Sequence, residues 1–262
     1  MSRLQELFTR KPSEVLSIYF TAGYPNRKDT VPVLESLAES GADVIEIGMP
    51  FSDPLADGTT IQQSSLQAIK NGMNLPVLFE QLQQVRRHVP DTPLILMGYL
   101  NPVLQFGWER FCAKCEEAGI DGLILPDLPH AEYQETYHPV MLKHGLSNVF
   151  LVTPQTSDER IRAADAASKG FIYAVSSAAT TGKQQGVQPE QEQYFERLNA
   201  LKLKNPHLIG FGISDRQSFM RVCQYAPGAI IGSAFIRHLA RKPEDAAGQS
   251  RDFVQMIRGT KS

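Results

Sequence analysis

The sequence predicts an α/β fold, a (β/α)8 TIM barrel that forms a single domain over residues 1–262 with an extra N-terminal helix. Three observations support it: eight short apolar runs, longer amphipathic segments between them, and no Pro/Gly/Ser-rich linker that would divide the chain. Closed barrels of this kind commonly reach ~250 residues as one domain. An open Rossmann sheet would instead require G-x-G-x-x-G after an early strand, whereas Thr21-Ala-Gly-Tyr-Pro25 follows the first apolar run.

The eight apolar runs are predicted to be parallel strands, because strands buried on both faces are apolar at nearly every position. Since the carboxyl ends of barrel strands carry the chemistry in this fold, the last residues of each strand and the following loop are the first candidates for a site. The predicted strands are Val15–Phe20, Asp43–Ile47, Leu94–Met97, Gly122–Leu125, Val149–Val152, Phe171–Val175, Leu208–Phe211 and Ala229–Ile231.

Helical periodicity separates these runs. Leu78, Leu82 and Val85 lie at i, i+4 and i+7, and a second apolar stripe runs from Tyr133 to Met141. A further helix is predicted over residues 2–9. Turns of small residues such as Ser40-Gly-Ala-Asp43 precede several strands, as expected where glycine ends a helix and the chain returns directly to the sheet.

The composition excludes several classes of protein. The chain has 26 basic and 28 acidic residues, a net charge of −2, so it lacks the basic surplus of a nucleic-acid binder. Its three cysteines cannot form a fully paired disulfide framework. Cys112 and Cys115 form a C-x-x-C, but no second pair of metal ligands lies nearby, so we interpret them as two thiols on one helix face.

No targeting or membrane segment is expected. The amino-terminal segment Met1–Phe8 lacks the apolar core of a signal peptide. The longest apolar stretches, at residues 93–100 and 229–236, are too short to span a bilayer. We therefore expect a soluble, cytoplasmic protein.

Carboxylates mark the end of the second predicted strand. Glu46 lies within the apolar run Val44-Ile-Glu-Ile-Gly48, and burying an unpaired carboxylate costs several kcal/mol. The loop that follows adds Asp53 and Asp57. A buried glutamate of raised pKa beside an ionised aspartate is a usual way to separate an acid from a base. Glu46 could instead be a salt-bridged structural residue, and Asp57 could cap the helix that follows.

A phosphate site is predicted at the other end of the sequence. Gly210 and Gly212 follow the seventh strand, and Gly232 and Ser233 follow the eighth. Glycine turns after strands seven and eight commonly bind phosphate in these barrels. The alternative is two tight turns that need glycine only for its backbone freedom.

The segment Ser176–Gly186 is small, polar and ends in glycine, so it could close over the site as a lid. An ordinary surface loop is an equally good interpretation.

The sequence predicts neither a metal site nor a lysine-based mechanism. Six histidines lie in helix-like or turn segments, none at the spacing of metal ligands. A Schiff-base aldolase needs a desolvated lysine, but no lysine lies in a predicted strand or at its end, and Lys183 lies in the lid.

The stretch Ile45-Glu-Ile-Gly-Met-Pro-Phe-Ser-Asp-Pro-Leu-Ala-Asp-Gly58 resembles the signature of the tryptophan synthase alpha chain family. The resemblance implies a (β/α)8 barrel that cleaves indole-3-glycerol phosphate to indole and glyceraldehyde 3-phosphate by a retro-aldol reaction. It implies no cofactor in this chain. It also implies that indole passes through a tunnel to a pyridoxal-phosphate-dependent beta chain in an α2β2 tetramer. The likeness continues in order at Thr21–Pro25, Gly98–Asn101, Leu125–Pro129, Gly210–Ser214 and Gly232–Ala234.

Residue by residue, the resemblance places Glu46 and Asp57 at the two catalytic carboxylate positions of the family. It implies that Glu46 protonates indole C3 and takes the proton of the glycerol hydroxyl, while Asp57 hydrogen-bonds the indole N–H. The residues that match surface facing the beta chain are Asp53, Pro54 and Asn101. The matching substrate-binding positions are Tyr19, Tyr99, Asp127, Tyr173, Thr181, Gly182, Gly210, Gly212, Gly232 and Ser233.

Two departures from the family pattern concern the lid and the start of a helix. Many members read Ser-Arg-x-Gly-Val-Thr-Gly in the lid, whereas this chain has Ser177 and Ala179 in place of the arginine and the first glycine. Thr59 stands where many relatives have proline. The lid difference bears on how the lid closes and not on the chemistry.

Two other functions remain open at this stage. A barrel isomerase of a related phosphorylated substrate would share the phosphate site, and its product would be a rearranged sugar instead of indole. A non-catalytic barrel that only regulates a partner would keep the surface around Asp53 and Asn101. Glu46 and Asp57 argue against that function, because nothing structural requires both.

Overall fold

The computed structural model of the chain describes residues 2–176, 189–210 and 212–260. Within these ranges the strands are β1 (Val15–Thr21), β2 (Val44–Gly48), β3 (Leu94–Met97), β4 (Gly122–Ile124), β5 (Ser147–Asn148), β6 (Leu151–Val152), β7 (Ile172–Val175), β8 (His207–Gly210) and β9 (Gly228–Ile231). The helices are α1 (Arg3–Arg10), α2 (Thr30–Glu39), α3 (Thr59–Lys70), α4 (Leu75–Leu82), α5 (Leu100–Phe106), α6 (Trp108–Glu117), α7 (His130–Glu132), α8 (His138–Lys143), α9 (Asp158–Ala167), α10 (Pro189–Ala200), α11 (Arg216–Val222), α12 (Ser233–Leu239) and α13 (Ala246–Arg258).

The strands form one parallel sheet in the order β5-β4-β3-β2-β1-β9-β8-β7-β6. The two strands at its ends are consecutive in the chain and are separated only by Val149 and Phe150. The Val149 N–H donates to the Leu123 carbonyl at 3.0 Å, and the Phe150 carbonyl accepts from the Tyr173 N–H at 3.0 Å. One short segment therefore joins both ends of the curled sheet, which confirms the predicted TIM-barrel class.

The predicted fifth strand, Val149–Val152, is wrong in its start and in its continuity. Strand pairing begins at Ser147, and the segment pairs first with β4 and then, from Leu151, with β7. Ser147 and Asn148 are polar but buried, so an apolar pattern cannot reveal them. The other predicted strands lie within one residue of the observed ends, except that Phe211 lies outside the described residues.

Helix α1 confirms the predicted N-terminal helix. Ser2 caps it and forms a capping box with Gln5. Leu4 and Leu7 are buried in a cluster with residues from the amino-terminal half of the barrel, including Val15. Helix α1 thus closes the amino end of the barrel, and the opposite end carries the candidate site.

The amphipathic stripes also form helices. Leu78 and Leu82 are buried in α4, and Val85 lies in a 3-10 turn just after it. The stripe from Tyr133 to Met141 is continuous, because a π turn over Tyr133–Tyr137 connects α7 and α8.

Cys112 and Cys115 are buried and unpaired on α6, which confirms the interpretation of two thiols on one helix face. Burial raises the pKa of Cys112 to about 12, so its thiol stays protonated at neutral pH. No helix in the described ranges is both long and apolar enough to cross a bilayer.

Candidate active site

Glu46 lies at the centre of β2, opposite Tyr19 of β1 and Ile95 of β3, and is 0% exposed. Its Oε1 accepts a hydrogen bond of 2.6 Å from the Ser17 hydroxyl. Its Oε2 has no hydrogen-bond partner among the described residues. Burial raises the pKa of Glu46 to about 7, and the Ser17 hydrogen bond opposes this increase.

The alternative in which Glu46 forms a structural salt bridge is wrong for the described part of the chain, where no cation pairs with it. With a pKa of about 7, its carboxyl group can be protonated or ionised near neutral pH. Glu46 does not itself line the cavity described below. Sequence analysis did not identify Ser17, although a serine inside an apolar strand is itself a signal.

Asp57 lies in the loop that connects β2 to α3. Its Oδ2 accepts a hydrogen bond of 3.0 Å from the Tyr99 hydroxyl, whose oxygen in turn accepts one of 3.0 Å from the Ala56 N–H. Burial raises the pKa of Asp57, and the Tyr99 hydrogen bond counteracts this effect. The alternative role as a helix cap is wrong, because Gly58 occupies the N-cap position of α3. The Asp57 carboxylate is therefore held by Tyr99.

Two tyrosines, Tyr19 on β1 and Tyr173 on β7, lie close to Glu46 and Asp57. Burial, together with the nearby charges of Asp57 and Glu46, raises the pKa of both Tyr19 and Tyr173. Both phenols therefore remain neutral hydrogen-bonding groups at physiological pH.

Glycines make room for the two tyrosine rings. A Cβ at Gly48 would lie 2.2 Å from the Tyr19 hydroxyl, and one at Gly210 would lie 2.3 Å from Cε2 of Tyr173. Packing against Tyr173 therefore requires glycine at position 210, whether or not Gly210 also contacts phosphate.

A cavity of about 500 Å³ opens at the carboxyl ends of the strands. It brings together residues that are far apart in the sequence. The sequence-predicted site residues among its lining are Tyr19, Asp57, Tyr173, Gly210, Gly212, Gly232 and Ser233. Arg237 also lines it and was missed, although it follows Ser233 by four residues and so lies on the same face of α12.

The remaining predicted site residues lie elsewhere. Tyr99 lines a small adjoining space together with Tyr19 and Asp57. Asp127 does not line the 500 Å³ cavity: its carboxylate accepts hydrogen bonds of 2.9 and 3.0 Å from the Leu100 N–H and fixes the start of α5. Thr181 and Gly182, with the rest of the predicted lid after Ser176, lie outside the described residues.

The residues expected to face a partner lie on two neighbouring segments. Asp53 and Asn101 are exposed, whereas Pro54 is buried. Leu55, which the sequence analysis did not single out, is 90% exposed beside them.

A parallel barrel with a buried glutamate inside β2, and with a glycine-lined cavity bordered by Asp57 at the carboxyl ends of its strands, has the features of an enzyme of the (β/α)8-barrel class. The family model of the tryptophan synthase alpha chain matches residues 7–261. This chain therefore belongs to the tryptophan synthase alpha chain family, whose members are lyases that cleave indole-3-glycerol phosphate.

Individual relatives support the same assignment over nearly the whole chain. A tryptophan synthase alpha chain of Flavobacterium johnsoniae is 57% identical over 249 residues, which are 95% of this chain and 97% of the relative. The crystal structure of the alpha chain of Legionella pneumophila superposes with a TM-score of 0.89 at 34% identity, covering 99% of this chain and 97% of its own. A structure of the tryptophan synthase a2b2 complex of Pyrococcus furiosus gives a TM-score of 0.85 at 35% identity, with 94% and 98% covered.

Proposed function

We propose that this chain cleaves indole-3-glycerol phosphate with Glu46 as its acid–base residue and Asp57 as its electrostatic residue. The observation that carries the proposal is the state of Glu46: fully buried, with one oxygen unpartnered among the described residues and a pKa of about 7. A group that both donates and accepts a proton works best when its pKa lies near the operating pH.

Glu46 acts twice in one turnover. The neutral carboxyl group first donates its proton to C3 of the indole, which converts the ring into an electron-accepting iminium form. The resulting carboxylate then takes the proton of the hydroxyl on C1′ as the C3–C1′ bond breaks. The bonding electrons return to the ring, so the products are indole and glyceraldehyde 3-phosphate, and Glu46 ends protonated as it began.

Asp57 stabilises the positive charge that develops on the indole nitrogen during this reaction. A carboxylate that accepts a hydrogen bond from the indole N–H becomes more favourable as that nitrogen turns cationic. The Tyr99 hydroxyl, anchored by the Ala56 N–H, holds this carboxylate in place. Asp57 therefore contributes mainly in the transition state.

The cavity residues supply substrate binding. Tyr19 and Tyr173 border the carboxylate pair, and Gly212, Gly232 and Ser233 line the part of the cavity assigned to the phosphate. Thr181 and Gly182 complete that set in the proposal. Asp127 acts indirectly, since it fixes the backbone next to Tyr99.

The proposal includes a beta chain as partner, in a cytoplasmic α2β2 complex that passes indole between subunits. Support comes from the a2b2 complex of Pyrococcus furiosus and from the exposed side chains of Asp53, Leu55 and Asn101. The pyridoxal phosphate belongs to the beta chain in this scheme, and no cofactor is assigned to this chain.

The test is release of indole from indole-3-glycerol phosphate by the full chain, with and without a beta chain. Glu46→Gln keeps the shape and the hydrogen bond from Ser17 but cannot carry a proton, so we expect activity to fall by about 10²–10⁴-fold. Glu39→Gln, at the exposed end of α2, is the matched control and should leave the rate unchanged.

Product analysis separates the possible outcomes. Near-normal turnover by Glu46→Gln would contradict the acid–base role. A rearranged sugar phosphate in place of indole would instead indicate an isomerase.

A further inference from the structure

We infer that Arg237 is a substrate-binding residue that selects for a doubly charged phosphate group at the Ser233 side of the cavity. This inference rests on the proposed function, because it adds a charged group to the phosphate subsite of that reaction. Its described members that line the cavity, Gly212, Gly232 and Ser233, are all neutral.

Arg237 lies on α12 at the wall of the cavity. Its position on α12, one helical turn after Ser233, brings both side chains to the same cavity. Of the described residues that line this cavity, Arg237 alone has a cationic side chain and Asp57 alone has an acidic one. The cavity therefore has a positive side at α12 and a negative side at the Asp57 loop.

This polarity matches the substrate of the proposed reaction. The phosphate carries close to two negative charges at neutral pH, whereas the indole end must approach a carboxylate and become cationic. Backbone N–H groups and a hydroxyl can satisfy phosphate oxygens but cannot balance their charge. A guanidinium group supplies both charge and several donors, and such charge-assisted hydrogen bonds are about twice as strong as neutral ones.

The contacts of Arg237 leave it available for this role. Its Nη1 donates one long hydrogen bond of 3.4 Å to Oγ1 of Thr60, in the first turn of α3. Within the described residues, Arg237 forms no ion pair with a carboxylate. The Thr60 contact thus keeps the guanidinium at the cavity wall without neutralising it.

The experiment compares Arg237→Met with Arg241→Met in the full chain. Both variants remove one exposed positive charge, but Arg241 lies beyond α12 and does not line the cavity. The probes are inorganic phosphate and glycerol 3-phosphate, titrated by calorimetry, together with the kinetics of indole release. Arg237→Lys serves as the conservative variant.

For Arg237→Met we expect about 10-fold weaker binding of both probes and about a 10-fold higher KM, with kcat within about 2-fold of the parent. The dependence of kcat/KM on ionic strength should also become shallower, because a charge that attracts the substrate is gone. Arg237→Lys should recover binding to within about 3-fold, since it restores the charge but not the planar fork.

Phosphate binding by Arg237→Met that equals that of the parent would overturn the inference. So would an equal loss in Arg241→Met, since that would indicate net charge alone. Failure of the proposed function would give a different result. A parent chain that binds phosphate but releases no indole would contradict the proposed reaction, and the calorimetry would still decide the role of Arg237.

Discussion

Glu46 is fully buried in a strand that is otherwise apolar, with a single hydrogen bond from Ser17. Its environment penalises the ionised carboxylate, which is why its pKa rises from 4.5 to about 7. The same penalty that raises the pKa of Glu46 therefore acts on the stability of the fold. The size of this effect depends on pH.

The sign follows from proton binding. The folded state holds the Glu46 proton more tightly than the unfolded chain does, so between about pH 4.5 and pH 7 stability falls as pH rises. Glu46→Gln removes this dependence. We expect the variant to match the parent near pH 4.5 and to exceed it at pH 8 by on the order of 3 kcal/mol in free energy of unfolding.

Urea denaturation of both proteins at pH 5 and pH 8 measures this difference. Glu39→Gln, at the exposed end of α2, is the matched control for removing one carboxyl group. A Glu46→Gln variant that is less stable than the parent at pH 8 would contradict the burial argument.

A second residue-scale prediction separates the roles of Asp57 and Ser233. Asp57→Asn keeps the shape and removes a charge that acts on the transition state, so kcat should fall by about 10²-fold or more while KM changes little. Ser233→Ala removes a phosphate hydrogen bond, so KM should rise while kcat is largely kept. Steady-state kinetics of indole release test this division, and the reverse pattern would refute it.

The sequence singled out candidate-site residues that break a local pattern, and it did not single out those that fit one. Glu46 stands out because a carboxylate interrupts an apolar strand, and the glycines after the last strands stand out by position. Arg237 does not, because an arginine on a surface helix is ordinary until the fold shows a cavity beside it. Asp127 was assigned to the substrate, yet its hydrogen bonds run to the Leu100 backbone.

At the element scale, the local sequence pattern predicted the strands whose residues form an uninterrupted apolar run. It failed at the fifth, where Ser147 and Asn148 are buried and polar, and where the chain changes partner between β5 and β6. The neighbours of β5 and β6 depend on how the whole sheet closes. Each pairing joins residues more than 20 positions apart in the sequence, so no local pattern contains it.

Helix α1 offers an element-scale test of how the barrel is closed at its amino end. Leu4 is 0% exposed within the barrel cluster, whereas Leu142 on α8 is 56% exposed. Leu4→Ala should lower the free energy of unfolding by about 2–5 kcal/mol, because it leaves a cavity in a packed core. Leu142→Ala should change it by less than about 0.5 kcal/mol.

Chemical denaturation gives both values, and indole release measured well below the midpoint gives the activity. Helix α1 lies at the end of the barrel opposite the candidate site. The fraction of Leu4→Ala protein that is folded should therefore keep its kcat. Equal stability of the two variants would show that α1 does not form part of the core.

At the scale of the whole molecule, the surface proposed for the beta chain lies on the same two segments as Asp57 and Tyr99, which are proposed to act in the reaction. The loop after β2 carries exposed Asp53 and Leu55 and then Asp57. The segment after β3 carries Tyr99, which donates to Asp57, and then exposed Asn101. A partner that rests on either segment therefore acts on the position of the Asp57 carboxylate.

We expect the isolated chain to be a weak enzyme that a beta chain activates strongly. A partner that fixes both segments would hold Asp57 and Tyr99 in the geometry for reaction, and closure of the site would exclude water and strengthen its electrostatics. The sequence of the predicted lid also favours weak activity of the isolated chain, because Ser177 and Ala179 replace the arginine and glycine that many relatives have. Binding must then be reciprocal, so a phosphate-bearing analogue in the cavity should tighten the beta chain by about 10-fold.

Calorimetric titration of the beta chain into this chain, with and without glycerol 3-phosphate, measures the coupling. Leu55→Asp places a charge on the proposed interface and should weaken the complex, whereas Leu142→Asp, on α8, should not. Because Leu55 is two residues from Asp57, the activity of the Leu55→Asp chain should recover at high beta-chain concentration if docking alone is affected. An unchanged affinity with the analogue, together with full activity of the isolated chain, would refute the coupling, since a site already complete without its partner gains nothing from docking.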